Sequence, residues 1–347
     1  MIRSNTVLVL GAGASCELDF PDGPTLLARI ADELDIRFDH WNQISGSTVL
    51  METLKRHHQA NAPDRHINDY VSAAWRLRDA AKLARSIDNA IDQNDDSPLV
   101  STVGKLVIAH QIGIEENRSK LVRRALEPDI FELEPLARTW LPAFAQVLTT
   151  DVRASEVDTI FENLTVISFN YDRSFEAFLP TIFQNVYGFP VAVAKTIANR
   201  LTIFHPYGSL GPLPWQDSEA AAVEFGGAEG RRIEQIAASL RTFTERNHDE
   251  KIVDAMRHAI AKASQLVFMG FGFHRQNMVL LDPQSDVRTT RIVGTVYNEP
   301  AASVQTARDT LDALCMGPGA APPSPSVDLV NLKCGEFMSH FYSPLTA

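Results

Sequence analysis

The chain has 347 residues, 45% of them hydrophobic and 22% charged, and this composition excludes a disordered or fibrous protein. Its formal net charge of −11 argues against a large nucleic-acid-binding surface, so no direct nucleic-acid partner is expected. The length allows about two domains, or one large domain with an insertion.

Two further features favour a cytoplasmic protein without a membrane partner. No apolar run reaches the length of a membrane span, and the N-terminus lacks the pattern of a signal peptide. The three cysteines, Cys16, Cys315 and Cys334, are widely spaced and offer neither a disulfide framework nor a Cys-x-x-Cys zinc site. We therefore expect a cytoplasmic protein that holds no metal.

The first predicted element is a strand at Val7–Leu10, a β-branched and leucine-rich run without alternation. Such a run is typical of a strand buried on both faces of a parallel sheet. It ends in the sequence Gly-Ala-Gly-Ala-Ser at residues 11–15, called the glycine turn below. A helix beginning there would direct free N–H groups and its positive dipole end at the turn, which predicts a pyrophosphate site. An ordinary glycine-rich turn between a strand and a helix is the alternative.

The residues after this turn depart from the usual dinucleotide fingerprint. Its third glycine would fall on Cys16, and no acidic residue ends a second strand about 20 residues further on. A turn cluster, Pro21–Pro24, follows directly. It predicts either a flap over a ligand or a plain loop.

Between residues 31 and 155 helical periodicity and charge replace the strand-like runs, which predicts an inserted helical subdomain. Residues 1–30 and 156–347 then form the sheet domain. Helices are expected at residues 71–85, 99–112, 116–125 and 135–149. His57 and His58 are neighbours and point apart on a helix, so a solvated helix face is a better interpretation than a metal pair.

The parallel-strand pattern returns at residues 164–169 and ends in Asn170, Tyr171 and Asp172. Polar side chains at the carboxyl end of a buried strand lie where open α/β sheets place their ligand crevice. Asn170 and Asp172 could instead simply cap the next helix, since both residue types do so readily.

A further strand at residues 200–204 ends in His205, which Pro206 and Gly208 follow closely. A turn therefore presents the imidazole, and both a catalytic and a structural role remain open. Residues 210–232 are rich in glycine, proline and alanine, which predicts a mobile cover or a long surface loop.

Three more strands are predicted at residues 265–269, 289–297 and 327–332. The first ends in a second glycine-rich turn, Gly270–Phe273, and the next ends in Asn298 and Glu299. Six strands, most of them separated by helices, predict an α/β fold with a doubly wound, mostly parallel Rossmann-type sheet.

The strand ends occur in the order seen in sirtuins: the glycine turn, Asn170 with Asp172, His205, the Gly270–Phe273 turn and Asn298. The chain resembles the sirtuin-like NAD hydrolases of bacterial antiphage defence, such as the NAD-cleaving effectors of Thoeris systems, over residues 1–30 and 160–340. It departs from sirtuin deacylases because it lacks the four-cysteine zinc site. The sirtuin Gly-Ile-Pro-Asp-Phe-Arg segment has only a loose echo at residues 20–23, and Pro206 and Tyr207 separate the histidine from its glycine.

This resemblance implies a sirtuin-like Rossmann sheet that binds NAD as substrate and hydrolyses its nicotinamide–ribose bond to nicotinamide and ADP-ribose. Asn170 would hold the ribose hydroxyls or water, Asp172 would contact the carboxamide, and His205 would be the general base. NAD depletion would serve antiphage defence, and a homo-oligomer or a defence-system partner would trigger it. The implied NAD-binding residues are Gly11, Ala12, Gly13, Ser15, Asp22, Gly270, Gly272, Phe273 and Asn298.

Other function classes remain open. A sirtuin-type protein deacylase or ADP-ribosyltransferase is one, although the missing zinc cysteines count against it. A non-catalytic sensor of NAD or another nucleotide on the same fold is the second. A Rossmann dehydrogenase is a weaker alternative, because the fingerprint fails at Cys16.

Overall fold

The computed structural model describes residues 1–122, 133–216, 222–227, 230, 232–241, 250–315 and 325–346. At its centre lies a six-stranded sheet in which every neighbouring pair of strands is parallel. Two further strands of the described chain form a separate antiparallel hairpin. In chain order the strands are β1 (Thr6–Leu10), β2 (Arg37–Asp39), β3 (Asn42–Ser45), β4 (Leu164–Ser168), β5 (Thr202–Phe204), β6 (Gln265–Met269), β7 (Arg291–Thr295) and β8 (Ser326–Val330).

The large sheet has the order β5-β4-β1-β6-β7-β8. Counted along the chain without the hairpin, this order is 3-2-1-4-5-6, which is that of doubly wound dinucleotide-binding sheets. The six strands predicted from the sequence are all present, so the predicted α/β fold class is confirmed. The strand order reverses between β1 and β6, and ligand crevices of such sheets lie at that point.

Helices cover both faces of the sheet, as the unbroken apolar run of β1 requires. Val7 and Val9 pack into the hydrophobic cluster on one face, and Leu8 and Leu10 pack into the cluster on the other. The helices are α1 (Ala12–Cys16), α2 (Gly23–Leu34), α3 (Thr48–Asn61), α4 (Ile67–Ala81), α5 (Ile87–Asp92), α6 (Pro98–Arg118), α7 (Trp140–Thr149), α8 (Ser174–Tyr187), α9 (Val191–Ala198), α10 (Arg232–Ser239), α11 (Glu250–Lys262), α12 (Arg275–Leu281), α13 (Ala301–Cys315), α14 (Cys334–His340) and α15 (Tyr342–Thr346).

The two faces divide the helices of the predicted insertion. Helices α2–α6 pack with α10–α13 on the face of Val7 and Val9. Helix α7 lies on the opposite face with α8, α9, α14 and α15. Within the described parts of the chain, no helix is both long and apolar enough to cross a membrane.

The insertion differs from its sequence-based description in two places. The β2–β3 hairpin was not predicted, because its strands have three and four residues and no buried residue to create an apolar alternation. Helix α6 runs without a break to Arg118, so the separate helix expected at residues 116–125 does not begin there. Residues 123–125 lie outside the described part of the chain.

A buried ion pair joins this insertion to the sheet. Arg173, just after β4, places its guanidinium nitrogen 2.6 Å from a carboxylate oxygen of Glu116 on α6, and both side chains are at most 1% exposed. Arg173 also donates to the backbone carbonyls of Gly211, Val223 and Glu224. The described parts of the segment predicted as a cover or loop, residues 210–216 and 222–227, are therefore anchored to this ion pair. Residues 217–221, 228, 229 and 231 lie outside the described chain.

Candidate functional site

The site is a cavity of about 840 Å³, called the central cavity below, at the carboxyl ends of β1, β4 and β6. The sheet side consists of the glycine turn, Phe169–Asp172 after β4 and Gly270–Gly272 after β6. Residues of α2 and the segment from Ala81 to Asp88 form the facing wall. The cavity therefore lies over the point where the strand order reverses.

The glycines at the strand ends allow two turns to pack backbone against backbone. Gly270 has φ +59°, and a Cβ added to it would lie 2.0 Å from the Ala14 amide nitrogen. A Cβ on Gly13 would lie 2.7 Å from the Gly270 Cα, and one on Gly11 would lie 2.5 Å from the Gly270 carbonyl oxygen. These three glycines are therefore required by contacts within the protein, whatever the cavity binds.

The same packing occupies several backbone donors of the glycine turn. The Gly13 N–H donates to the Gly270 carbonyl oxygen at 2.9 Å, and the Ala14 N–H donates to that of Gly11 at 2.9 Å. Helix α1 is only five residues long, so it sums few peptide dipoles. The turn therefore has fewer free donors for an anion than its sequence predicted.

Asn170, Asp172 and Ser15 form one hydrogen-bonded cluster on the sheet side. The Asn170 amide nitrogen donates to the Gly11 carbonyl oxygen at 3.1 Å and to Ser15 Oγ at 3.0 Å. Ser15 Oγ donates to Asp172 Oδ2 at 2.8 Å. No described residue donates to Asn170 Oδ1, so this oxygen is available to a ligand. The cluster joins two strand ends and holds the asparagine in one orientation.

Asp172 combines the two roles that the sequence left open. It lines the central cavity, and its Oδ1 also accepts the backbone N–H of Ser174 at the beginning of α8 at 3.1 Å. Burial raises the pKa of this carboxyl above its ordinary range, although the hydrogen bonds from Ser174 and Ser15 oppose the shift. A carboxylate with a raised pKa is a better proton acceptor than an exposed one.

His205 lies beside the cavity but not among the residues that line it. Its Nε2 lies 2.6 Å from Glu176 Oε1 on α8, and its Nδ1 lies 3.4 Å from the Asn170 backbone oxygen. Burial alone would lower the pKa of His205, but the Glu176 carboxylate outweighs it and raises the pKa above its ordinary value. Because its ring is paired with Glu176 and lies outside the cavity lining, His205 is not poised as a general base and reaches the site only through Asn170.

The structure brings some of the predicted NAD-binding residues together and leaves others outside the cavity. Asp22 caps α2 by accepting the Thr25 N–H at 2.9 Å, while its neighbours Pro21, Gly23 and Pro24 line the cavity. Phe273 packs its ring against Phe268 and Phe271. The Asn298 N–H donates to Asn331, and it is Glu299 that lines the cavity. The predicted residues that line it are Gly11, Ala12, Gly13, Ser15, Gly270 and Gly272, with Asn170 and Asp172.

Sequence reasoning missed the wall that the insertion provides. Lys82 and Arg85, between α4 and α5, line the cavity together with Asp88 on α5. Tyr171 donates its hydroxyl to Asp88 Oδ1, which fixes this wall to the end of β4. Burial raises the pKa of Asp88. The two residues are 83 positions apart, so no local pattern could have shown their contact.

Within the described residues, no group of three or more histidine, cysteine, aspartate and glutamate side chains could hold a metal ion. All three cysteines are free, and Cys315 and Cys334 are buried. Burial raises the pKa of the half-buried Cys16 to about 11, so its thiol stays protonated at neutral pH. The polar side chains of the cavity therefore supply amide, hydroxyl, carboxyl, imidazole, ammonium and guanidinium groups.

The chain matches no protein-family model and no curated protein. The likeness to sirtuin-like NAD hydrolases therefore depends on the strand-end residues themselves. What the geometry adds is a large cavity at the switch point of a dinucleotide-type sheet, with an oriented asparagine and a buried carboxylate on its sheet side.

Proposed function

We propose that this chain binds NAD in the central cavity and hydrolyses its nicotinamide–ribose bond, releasing nicotinamide and ADP-ribose. The observation that carries the proposal is the position of the cavity, over the point where a 3-2-1-4-5-6 sheet reverses its strand order. Dinucleotides bind at that point in sheets of this order. The volume of about 840 Å³ falls within the range of about 300–1,000 Å³ that is typical of ligand sites.

The two sides of the cavity suit the chemically different parts of NAD. The nicotinamide riboside would lie against Asn170 and Asp172, where a carboxylate faces its cationic ring. The pyrophosphate would cross the glycine turn, and the adenosine would lie towards Gly272 and Glu299. The order of the strand ends along the chain, which resembles that of sirtuins, supports this orientation.

In the proposed reaction the bond between ribose C1′ and the nicotinamide nitrogen breaks, and its electron pair neutralises the pyridinium ring. Because the leaving group is already cationic, no strong acid is needed. Asn170 Oδ1 would hold a ribose hydroxyl or the attacking water, since its amide nitrogen is already bound to Gly11 and Ser15. Water adds its oxygen to C1′, and its proton passes through Ser15 Oγ to the Asp172 carboxylate.

His205 enters this proposal as a positioning residue. The resemblance to sirtuins implied a general base, but its ring is paired with Glu176 and lies outside the cavity lining. Through the Asn170 backbone oxygen it would fix the strand end that carries the asparagine. Substitutions of Asn170 and His205 separate the role of general base from that of positioning residue.

The test is to incubate the purified protein with NAD and to follow nicotinamide and ADP-ribose by chromatography. We expect the wild type to release both in equal amounts, and Asn170→Ala to be about 10²-fold slower or worse, as for loss of a group that orients the reactants. Asn199→Ala is the matched control, because Asn199 is exposed and its side chain bonds, among the described residues, only to the Gln216 carbonyl oxygen. Equal rates for wild type and Asn170→Ala would contradict the proposed mechanism.

A second candidate function is binding of NAD without cleavage, as in a nucleotide sensor. The observation that favours it is the His205–Glu176 pair, which occupies the imidazole that the resemblance to sirtuins implied as general base. The same incubation separates the two functions. NAD that binds in calorimetry but yields no nicotinamide would favour the sensor.

A further inference from the structure

We propose that Arg85, assisted by Lys82, binds the pyrophosphate of the dinucleotide, so that the insertion supplies the positive charge of the site. This inference rests on the proposed function, because it needs a dinucleotide in the central cavity. It assigns a role to the segment between α4 and α5, which the sequence described only as part of a helical subdomain.

The glycine turn is a weak anion site by itself. Its Gly13 and Ala14 amides already donate to carbonyl oxygens of the protein. Helix α1 has five residues, so its dipole contributes little. A pyrophosphate carries two negative charges, and neutralising them would require side chains in addition to the remaining backbone donors.

The charges of the cavity lining limit where an anion can bind. Three carboxyl groups line it, those of Asp88, Asp172 and Glu299, and the whole chain carries a formal charge of −11. Within the described residues, the lysine and arginine side chains that line it are Lys82 and Arg85 alone. Since like charges repel in a cavity of low dielectric constant, a dinucleotide anion would bind only near these two cations.

Arg85 makes no ion pair or hydrogen bond with any described residue. Other arginines of the insertion differ: Arg76 binds Asp96, and Arg78 binds Asp35 and Asp79. Arg85 is also exposed, so its guanidinium can reach a ligand without breaking a contact. A guanidinium that keeps its five donors free matches the paired oxygens of a phosphate.

Arg85 and the turn after β6 line the same cavity. His274 follows the Gly270–Phe273 turn and lines the same cavity. Burial lowers the pKa of His274, and the positive charge of Arg85 lowers it further. The Arg85 guanidinium and the strand-end turns therefore line one cavity, in which a bound pyrophosphate would contact both.

The experiment is calorimetric titration of the full chain with NAD, ADP-ribose, inorganic pyrophosphate and adenosine. We expect Arg85→Ala to weaken NAD and ADP-ribose binding at least about tenfold, with Arg85→Lys between the two proteins, because lysine keeps the charge but not the paired donors. Adenosine carries no phosphate, so its affinity should not change. The dependence of NAD affinity on salt concentration should also be smaller in Arg85→Ala.

Arg65→Ala is the matched control. Arg65 is likewise an exposed arginine of the insertion without an ion pair among the described residues, but it does not line the cavity. If wild type binds NAD and Arg85→Ala binds it equally well, the inference about Arg85 is overturned while the proposed function stands. If wild type binds neither NAD nor ADP-ribose, both are overturned. Tight binding of pyrophosphate alone, lost in Arg85→Ala, would overturn the dinucleotide and leave a phosphate site.

Discussion

The two walls of the central cavity are built on different principles. On the sheet side the side chains of Ser15, Asn170 and Asp172 form hydrogen bonds with one another or with the backbone. The glycines beneath them pack so closely that an added Cβ would collide with neighbouring backbone atoms. On the insertion side Arg85 is exposed and makes no such bond with any described residue. The sheet side therefore fixes geometry, and the insertion side contributes charge that can adapt to a ligand. Substitutions of the sheet-side glycines should affect stability and those of the polar cluster should affect catalysis, whereas substitution of Arg85 should affect binding alone.

The largest expected effect is a loss of stability at the buried Arg173–Glu116 ion pair, which joins the insertion to the sheet. Glu116→Ala leaves the Arg173 guanidinium buried without its carboxylate, and breaking a buried pair in this way costs about 3–5 kcal/mol. The matched control is Asp158→Ala, because Asp158 pairs with Arg200 and both side chains are about half exposed or more. An exposed pair contributes only about 0–1 kcal/mol. Urea unfolding measures the free energy of unfolding of both variants. Equal losses of stability in Glu116→Ala and Asp158→Ala would show that the Arg173–Glu116 pair does not hold the insertion to the sheet.

The sheet side of the central cavity could be predicted from the sequence, whereas the insertion side could not. The strands were predictable because each is a short apolar run that ends abruptly in glycine or polar residues, and the positions of Asn170 and Asp172 followed from that. The insertion wall was not predictable, because its contacts join residues that are far apart in sequence, as with Tyr171 and Asp88. The pairing of His205 with Glu176 was equally hidden, since Glu176 looks like an ordinary helix residue.

The next effect tests the backbone packing of the sheet side. Gly270 and Gly188 both have positive φ, but a Cβ would collide with Ala14 at Gly270 and meet nothing within 4 Å at Gly188. Gly188→Ala should cost about 1–2 kcal/mol for the left-handed backbone alone. Gly270→Ala should add about 1–3 kcal/mol of overpacking. Unfolding free energies test this, and equal costs would mean that the two turns can move apart freely.

Substitutions at the sheet-side cluster and at His205 should separate catalysis from positioning. Asn170→Ala should lower kcat for NAD cleavage about 10²-fold with little loss of stability, since its side chain is only partly buried. His205→Ala should lower kcat less and also destabilise the fold, because it leaves the buried Glu176 carboxylate unpaired. Single-turnover nicotinamide release measures the rate of NAD cleavage in both variants. An equally complete loss of cleavage in both would show that His205 is the general base.

The smallest effect is a pH dependence of stability from the same pair. The pKa of His205 is raised in the folded protein above its ordinary value of about 6.5. Its protonation therefore stabilises the fold fully below about pH 6.5, and this contribution is lost as the pH rises through the folded-state pKa. Glu176→Gln removes the carboxylate and should flatten that part of the profile. An unchanged profile in Glu176→Gln would show that the pair does not contribute to stability.

The most direct test of the account is whether NAD binds in the central cavity at the switch point of the sheet. Gly13→Val would not answer this, because its side chain would collide with Gly270 rather than with a ligand. Gly23 lines the cavity, and a Cβ there meets nothing within 4 Å, so Gly23→Phe should fill the cavity without disturbing the fold. Asp32→Phe, at an exposed position of α2 that does not line the cavity, is the control.

The measurement is calorimetric titration of NAD into wild type, Gly23→Phe and Asp32→Phe, each checked for an unchanged melting temperature. The account predicts that wild type and Asp32→Phe bind NAD equally well, and that Gly23→Phe loses at least about tenfold in affinity, or about 1.4 kcal/mol. Equal NAD affinity in all three folded proteins would contradict it, because NAD would then bind elsewhere on the chain.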